Sequence, residues 1–207
     1  MGRPRQFDER ALLDAAVELF WTKGFDTTSV EDVSRASGIG NGSIYAAYGN
    51  KRGLFLAAFE RYCEQRARFV RTVIESAPGS ARAAVRALCR AVIDDCAAYP
   101  DRRGCLMINS IAHLGTRIPE VATIGAATTA GMEDAVAQRL RRAMTATGPA
   151  DEELLSALSA NVVMTTQGLI QLSRMGVGSD RLREIADVAT EVLPPAWAAD
   201  APAGARS

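Results

Sequence analysis

The chain has 207 residues and a mass of 22.0 kDa, enough for one ordinary domain or two small ones. Hydrophobic residues make up 48% of it, which excludes disorder of the whole chain. Lys plus Arg total 24 and Asp plus Glu total 24, so a uniformly basic nucleic-acid coat is excluded and any such binding must come from local placement of charge.

The elements predicted in chain order are all helices. Ala, Arg, Leu and Glu dominate, and no stretch sustains the alternation of a half-buried strand. From Asp8 to Lys23, Leu12, Leu13, Ala16, Val17, Leu19 and Phe20 recur at helical spacing. Asp8 and Glu9 complement the dipole at its start, and Gly24 is a stop. Ser29 is placed to cap a short helix from Val30 to Ser37, with Asp32 at capping-box spacing in place of the usual Glu. Gly38 ends that helix, and a second short helix follows from about Asn41 to Tyr48. A long helix is expected over 51–76, then further segments at about 80–99, 105–114, 119–147, 151–175 and 180–193. The expected fold class is therefore all-α with about nine helices. Pro194 to Ser207, rich in Ala, Pro and Gly, reads as a mobile tail.

No apolar run reaches the roughly 18 residues of a membrane span, and Met1 to Arg10 lacks an apolar signal core. A cytoplasmic protein with no membrane partner is expected. Cys63, Cys89, Cys96 and Cys105 form no CxxC pair, and the one histidine, His113, is at no zinc spacing. No metal or cofactor is expected, and the thiols are expected to be reduced.

Two short helices meeting at a glycine turn, after a longer one, form a helix-turn-helix arrangement. In that geometry the first helix of the pair crosses the sugar-phosphate backbone and the second enters the major groove. The second helix carries small side chains, Gly42, Ser43, Ala46 and Ala47, which allow close approach to base edges. Tyr45 and Tyr48 flank them, one able to reach a phosphate and the other to pack inward. Arg3 and Arg5 lie on an N-terminal arm with no acid before Asp8, and Lys51 and Arg52 open the long helix. Ser29 and Lys51 sit at helix N-termini, where backbone N–H groups favour phosphate. Few cations mean few phosphate contacts per subunit, so tight binding calls for a dimer.

The residues Phe25-Asp26-Thr27-Thr28-Ser29-Val30-Glu31-Asp32-Val33, then Gly38-Ile39-Gly40-Asn41-Gly42-Ser43-Ile44-Tyr45, Tyr48, and Lys51 to Phe55, resemble the DNA-binding domain of TetR/AcrR-type regulators. Ala15-Ala16, Leu19-Phe20 and Lys23-Gly24-Phe25 extend the likeness into the first helix, so that it covers about Asp8 to Phe59. The resemblance implies phosphate contacts from Ser29, Tyr45 and Lys51, with Thr28 a weaker candidate. It implies base-facing positions at Asn41, Gly42, Ser43, Ala46 and Ala47. Many relatives carry His or Tyr where this chain has Ala46-Ala47, so the operator does not follow from the family. Tyr48 matches an aromatic position that mostly packs in the core.

The resemblance also implies a helix-turn-helix domain over 1–50, a helical effector-binding and dimerisation domain over 51–193, and the tail over 194–207. The partners it implies are double-stranded operator DNA, a second copy of the chain, and a small-molecule effector. The segment 151–175 is apolar on more than one face, through Leu154, Leu155, Leu158, Val162, Val163, Met164, Leu169, Ile170 and Leu172. With 180–193 it either fills the monomer core or forms a four-helix interface with a twin subunit; the family favours the second. Residues with polar or polarisable ends in apolar segments are the effector-pocket candidates: Cys96, Tyr99, Cys105, Met107, Asn109, His113, Met132, Thr166, Gln167 and Gln171. A lone histidine is more often a satisfied core or surface residue, and methionines are more often core filler.

The function expected is an effector-released repressor. An activator of the same fold, or a thiol-based redox or electrophile sensor acting through Cys105, are the alternatives. Cys105 follows Asp101-Arg102-Arg103-Gly104 at a helix start, a setting that lowers a thiol pKa where the thiol is exposed. An enzyme is not expected, since no Gly-rich phosphate loop, HExxH or GxSxG is present. A helical adaptor for another protein would have no need of phosphate-binding residue types at Arg3, Arg5, Ser29, Tyr45 and Lys51.

Overall fold

The computed structural model describes residues 8–145 and 151–194. Arg3, Arg5, and residues 195–207 of the expected tail lie outside the described residues. Among those described there are nine helices and no strand. They are α1 (Glu9–Lys23), α2 (Val30–Ser37), α3 (Asn41–Tyr48), α4 (Lys51–Ser76), α5 (Ala81–Ala97), α6 (Leu106–Leu114), α7 (Pro119–Thr145), α8 (Glu152–Arg174) and α9 (Ser179–Thr190). The expected segments agree closely with these, apart from the last. There α9 stops at Thr190, and Leu193 is buried beyond its end. No helix among the described residues is long and apolar enough to cross a membrane.

Local chemistry accounts for the first three helices. Asp8 caps α1 by accepting the Ala11 N–H at 3.1 Å. Leu12, Ala16 and Phe20, spaced by four, give α1 its buried stripe. Ser29 Oγ accepts the Asp32 N–H at 3.1 Å, and Asp32 Oδ2 accepts the Ser29 N–H at 3.0 Å, a complete capping box. These bonds from Ser29 hold the Asp32 carboxyl below the usual range. Gly38 ends α2 in the left-handed region, φ 72°, where a side chain is strained. Ser34 Oγ donates to the Ile39 carbonyl at 2.6 Å and fixes the turn into α3. Ser29→Ala is expected to cost about 1 kcal/mol in chemical unfolding, the usual worth of a helix cap. Because the Asp32 pKa is depressed in the fold, the carboxylate's share of this stability is present above the ordinary Asp pKa. It is lost as pH falls through the folded value, and in Ser29→Ala that acid sensitivity shrinks.

The chain packs as two compact units, residues 1–65 with 105–125, and residues 66–104 with 126–207. The first unit thus takes in α1 to α3, the first part of α4, α6 and the start of α7. The packing division falls at Gln65–Arg66, within α4, and α6 falls in the same unit as the helix-turn-helix. Its centre is aromatic. The Phe55 ring lies edge-on to Phe20 and Phe25 at 5.1 and 5.0 Å between centroids, and stacks on Phe59 at 5.7 Å. The second unit is built on an apolar core from α4, α5, α7, α8 and α9, including Ile74, Leu88, Ile93, Leu140, Leu155, Leu169 and Leu182. On its surface α9 and its C-cap Glu191 are tied to α5 by ion pairs of Arg82 with Glu191 at 2.6 Å, Arg86 with Asp187 at 2.8 Å, and Arg183 with Asp94 at 3.2 Å.

Candidate nucleic-acid interface

Helix α3 has one buried residue, Ile44, 1% exposed, which marks the side of the helix turned to the protein. Tyr48, one turn on and half-buried, donates its hydroxyl to Glu9 Oε1 at 3.0 Å. The opposite face is open. Gly42, Ser43, Tyr45, Ala46 and Ala47 are exposed, and Asn41 is half-buried. Positions 42, 43, 46 and 47 share one face because residues three and four apart on a helix are neighbours. These four positions carry small, uncharged side chains. Asn41 Oδ1 is buried and makes no hydrogen bond among the described residues.

The junction with α4 holds this face in place. Asn50 Oδ1 accepts the Gly53 N–H at 2.9 Å, capping α4. A Cβ on Gly53 would overlap the Tyr48 carbonyl oxygen, so a glycine is needed for α4 to begin this close to α3. Lys51 extends its ammonium to the Asp26 carbonyl at 3.1 Å and over the Phe25 ring at 4.6 Å. One bond uses one of its three donors. Two ion pairs of opposite polarity flank this point. Arg117 binds both oxygens of Asp26 at 2.8 Å, and Arg52 pairs with Glu120 at 2.7 Å.

Burial inside the first unit pushes the Tyr48 hydroxyl up to about 12, and its bond to Glu9 adds to the shift. A tyrosine raised in the folded state stabilises below its ordinary pKa of 10.0, and that contribution is lost as pH rises through about 12. An alkaline absorbance titration of the native protein should show a late phenol, which moves down in Glu9→Gln.

One sequence expectation is corrected. Thr28 is 1% exposed, and its hydroxyl donates to the Gly24 carbonyl at 2.7 Å. The side chain braces the loop before α2 from inside and is not presented to a phosphate. Ser29 stays half-buried at the start of α2, and Tyr45 is 43% exposed. Two further exposed cations were not named as site residues from the sequence: Arg35, whose side chain is 79% exposed on α2 beside Asp32, and Lys23 at the end of α1.

The effector candidates divide between the units. Cys96, Tyr99, Met132, Thr166, Gln167 and Gln171 belong to the second, and Cys105, Met107, Asn109 and His113 to the first. Met132 is part of the apolar core, and the Thr166 hydroxyl donates to the Val163 carbonyl at 2.7 Å. Met107 is buried, while His113 is exposed on α6. Neither unit by itself gathers all of the candidates. Cys105 is 5% exposed; Tyr62 donates its hydroxyl to Cys105 Sγ at 3.4 Å and accepts the Leu106 N–H at 3.3 Å. Burial removes the exposure that thiol sensing requires.

A helix of small exposed side chains, held at a glycine turn by a capped partner helix, defines a helix-turn-helix DNA-binding transcriptional regulator. Comparison with known proteins gives its family. Residues 12–58 match the model of bacterial regulatory proteins of the tetR family. Over 93% of its length the chain is 31% identical to the uncharacterized HTH-type transcriptional regulator YezE of Bacillus subtilis (strain 168), all of which is covered. It is 29% identical to the HTH-type transcriptional repressor ComR of Escherichia coli (strain K12), over 93% of this chain and 92% of that one. Among solved structures it is similar to a cysteine mutant of the TetR family regulator CifR complexed with 26 bp double-strand operator DNA. That likeness has a TM-score of 0.77 and 28% identity, and covers 93% of this chain and all of the other. The chain belongs to the TetR family.

Proposed function

We propose that this regulator is a repressor that binds a palindromic operator as a homodimer and is released by a small effector. The observation that carries the reading is the exposed, uncharged outer face of α3, fixed from beneath by Ile44 and Tyr48. A groove-binding helix needs a face of this kind. Asn41, Gly42, Ser43, Ala46 and Ala47 meet base edges. Ser29 at the start of α2, Tyr45 on the rim of α3 and Lys51 at the start of α4 meet phosphates, with Arg3 and Arg5 adding charge from the arm. The names of two relatives support the reading, ComR as a repressor and CifR as a protein complexed with operator DNA.

The dimer reading rests on exposed apolar side chains in α8, in α9 and just past its end. Leu154 is 40% exposed, Met164 62%, Val188 73% and Val192 55%. Such side chains on two consecutive helices suit a two-fold interface, which in turn suits a two-fold operator. Effector binding then opposes DNA binding through one coupling free energy. Oxidant sensing through Cys105 is not favoured, given its burial.

The test is an anisotropy titration of the purified protein against DNA from upstream of its own gene, at two salt concentrations, with sedimentation analysis alongside. Saturable binding by a dimer, resistant to competitor DNA, supports the reading; a monomer that binds every sequence equally weakly overturns it. In Lys51→Ala, binding should weaken alike for all sequences, and the salt slope should drop by about one per subunit.

A further inference from the structure

Resting on this reading of α3, we propose that the base pairs facing this helix in each operator half-site are A·T, recognised chiefly through thymine methyl groups packed against Ala46 and Ala47. Guanine is read in the major groove by the donors of Arg or Lys, and cytosine by a carboxylate. Helix α3, Asn41–Tyr48, carries none of these, nor a glutamine or histidine. Its one amide, Asn41, is half-buried with Oδ1 turned away from solvent, so the exposed alanines carry the contact. Ala46 and Ala47 are exposed and adjacent, and neither carries a side chain longer than a methyl. Gly42 and Ser43, on the same face, let the helix backbone come close.

The nearby cations are off this face. Lys51 is drawn to the Asp26 carbonyl and the Phe25 ring, Arg52 to Glu120, and Arg35 is on α2. They are placed to meet phosphates, which carry no sequence information directly. Beside the Ser43 hydroxyl, which does not single out one base, apolar contact is what the outer face of α3 has to offer, and the C5 methyl of thymine is the apolar group of the groove.

The experiment is selection of bound duplexes from a random pool by the full-length protein, followed by titration of the selected site with each thymine replaced in turn by deoxyuridine. Deoxyuridine pairs as thymine does but lacks the methyl, so the protein is untouched. The expected half-site has A·T pairs at the positions facing α3. Deoxyuridine at two of them should weaken binding about fourfold each, the worth of one buried methyl-sized group. The penalty should vanish when Ala46→Gly or Ala47→Gly removes the protein's half of the contact. Selection of half-sites with fixed G·C pairs facing α3, or indifference to every deoxyuridine, overturns this proposal and leaves the regulator reading standing. Failure to enrich any sequence overturns both.

Discussion

Ala47→Glu is expected to weaken operator binding by at least about a hundredfold while leaving the thermal melting temperature within a degree or two of the parent. Ala47 is exposed on the outer face of α3, so a longer side chain there meets no protein. Glu is a good helix former, and surface changes of this kind usually stay within about 0.5 kcal/mol. In the groove the carboxylate is brought among phosphates and loses water without gaining a cation. An unpaired charge in such a place costs several kcal/mol, and about 2.8 kcal/mol is already a hundredfold. Titration of both proteins against one operator fragment, with a melting curve for each, separates loss of contact from loss of fold. Equal affinities would place α3 outside the groove.

Phe55→Ala has the opposite signature. Phe55 is 1% exposed and its ring touches those of Phe20, Phe25 and Phe59. Truncation removes the apolar transfer energy and leaves a cavity that rigid neighbours fill only in part, about 3–5 kcal/mol in all. That is a large share of the stability of an ordinary domain, about 5–15 kcal/mol. The same side chain supports Phe25, over which Lys51 sits, so the damage extends to the start of α4. Chemical unfolding should show the first unit melting early, and DNA binding should fall with it. A variant of native stability would mean that the aromatic cluster does not hold this unit together.

How far the sequence was readable depends on the range of the interaction. The caps at Asp8 and Ser29 and the stop at Gly38 are local, so each followed from residues three or four apart. The outer face of α3 was legible in its run of small side chains, Gly42, Ser43, Ala46 and Ala47, and in the family resemblance. Thr28 was not: its polar side chain read as a surface group, yet it turns inward to a carbonyl on the preceding loop. Nor were the ion pairs of Arg117 with Asp26 and Arg52 with Glu120, which join residues 91 and 68 positions apart. The grouping of α6 with the helix-turn-helix likewise joins residues far apart in sequence. The effector candidates were chosen for a polar end in an apolar segment, a pattern that cannot separate core filler such as Met132 from an exposed residue such as His113.

The most direct test of the central claim, that α3 reads DNA as the recognition helix, is a competition titration. Labelled DNA from upstream of the gene is bound by the purified protein, then challenged with unlabelled specific and random duplexes. The account predicts that the specific duplex displaces the label at concentrations at least a hundredfold below the random one, and that the difference disappears in Ala47→Glu. Equal displacement by both duplexes in the parent protein, with the DNA selected from random pools also showing no preference, would contradict it.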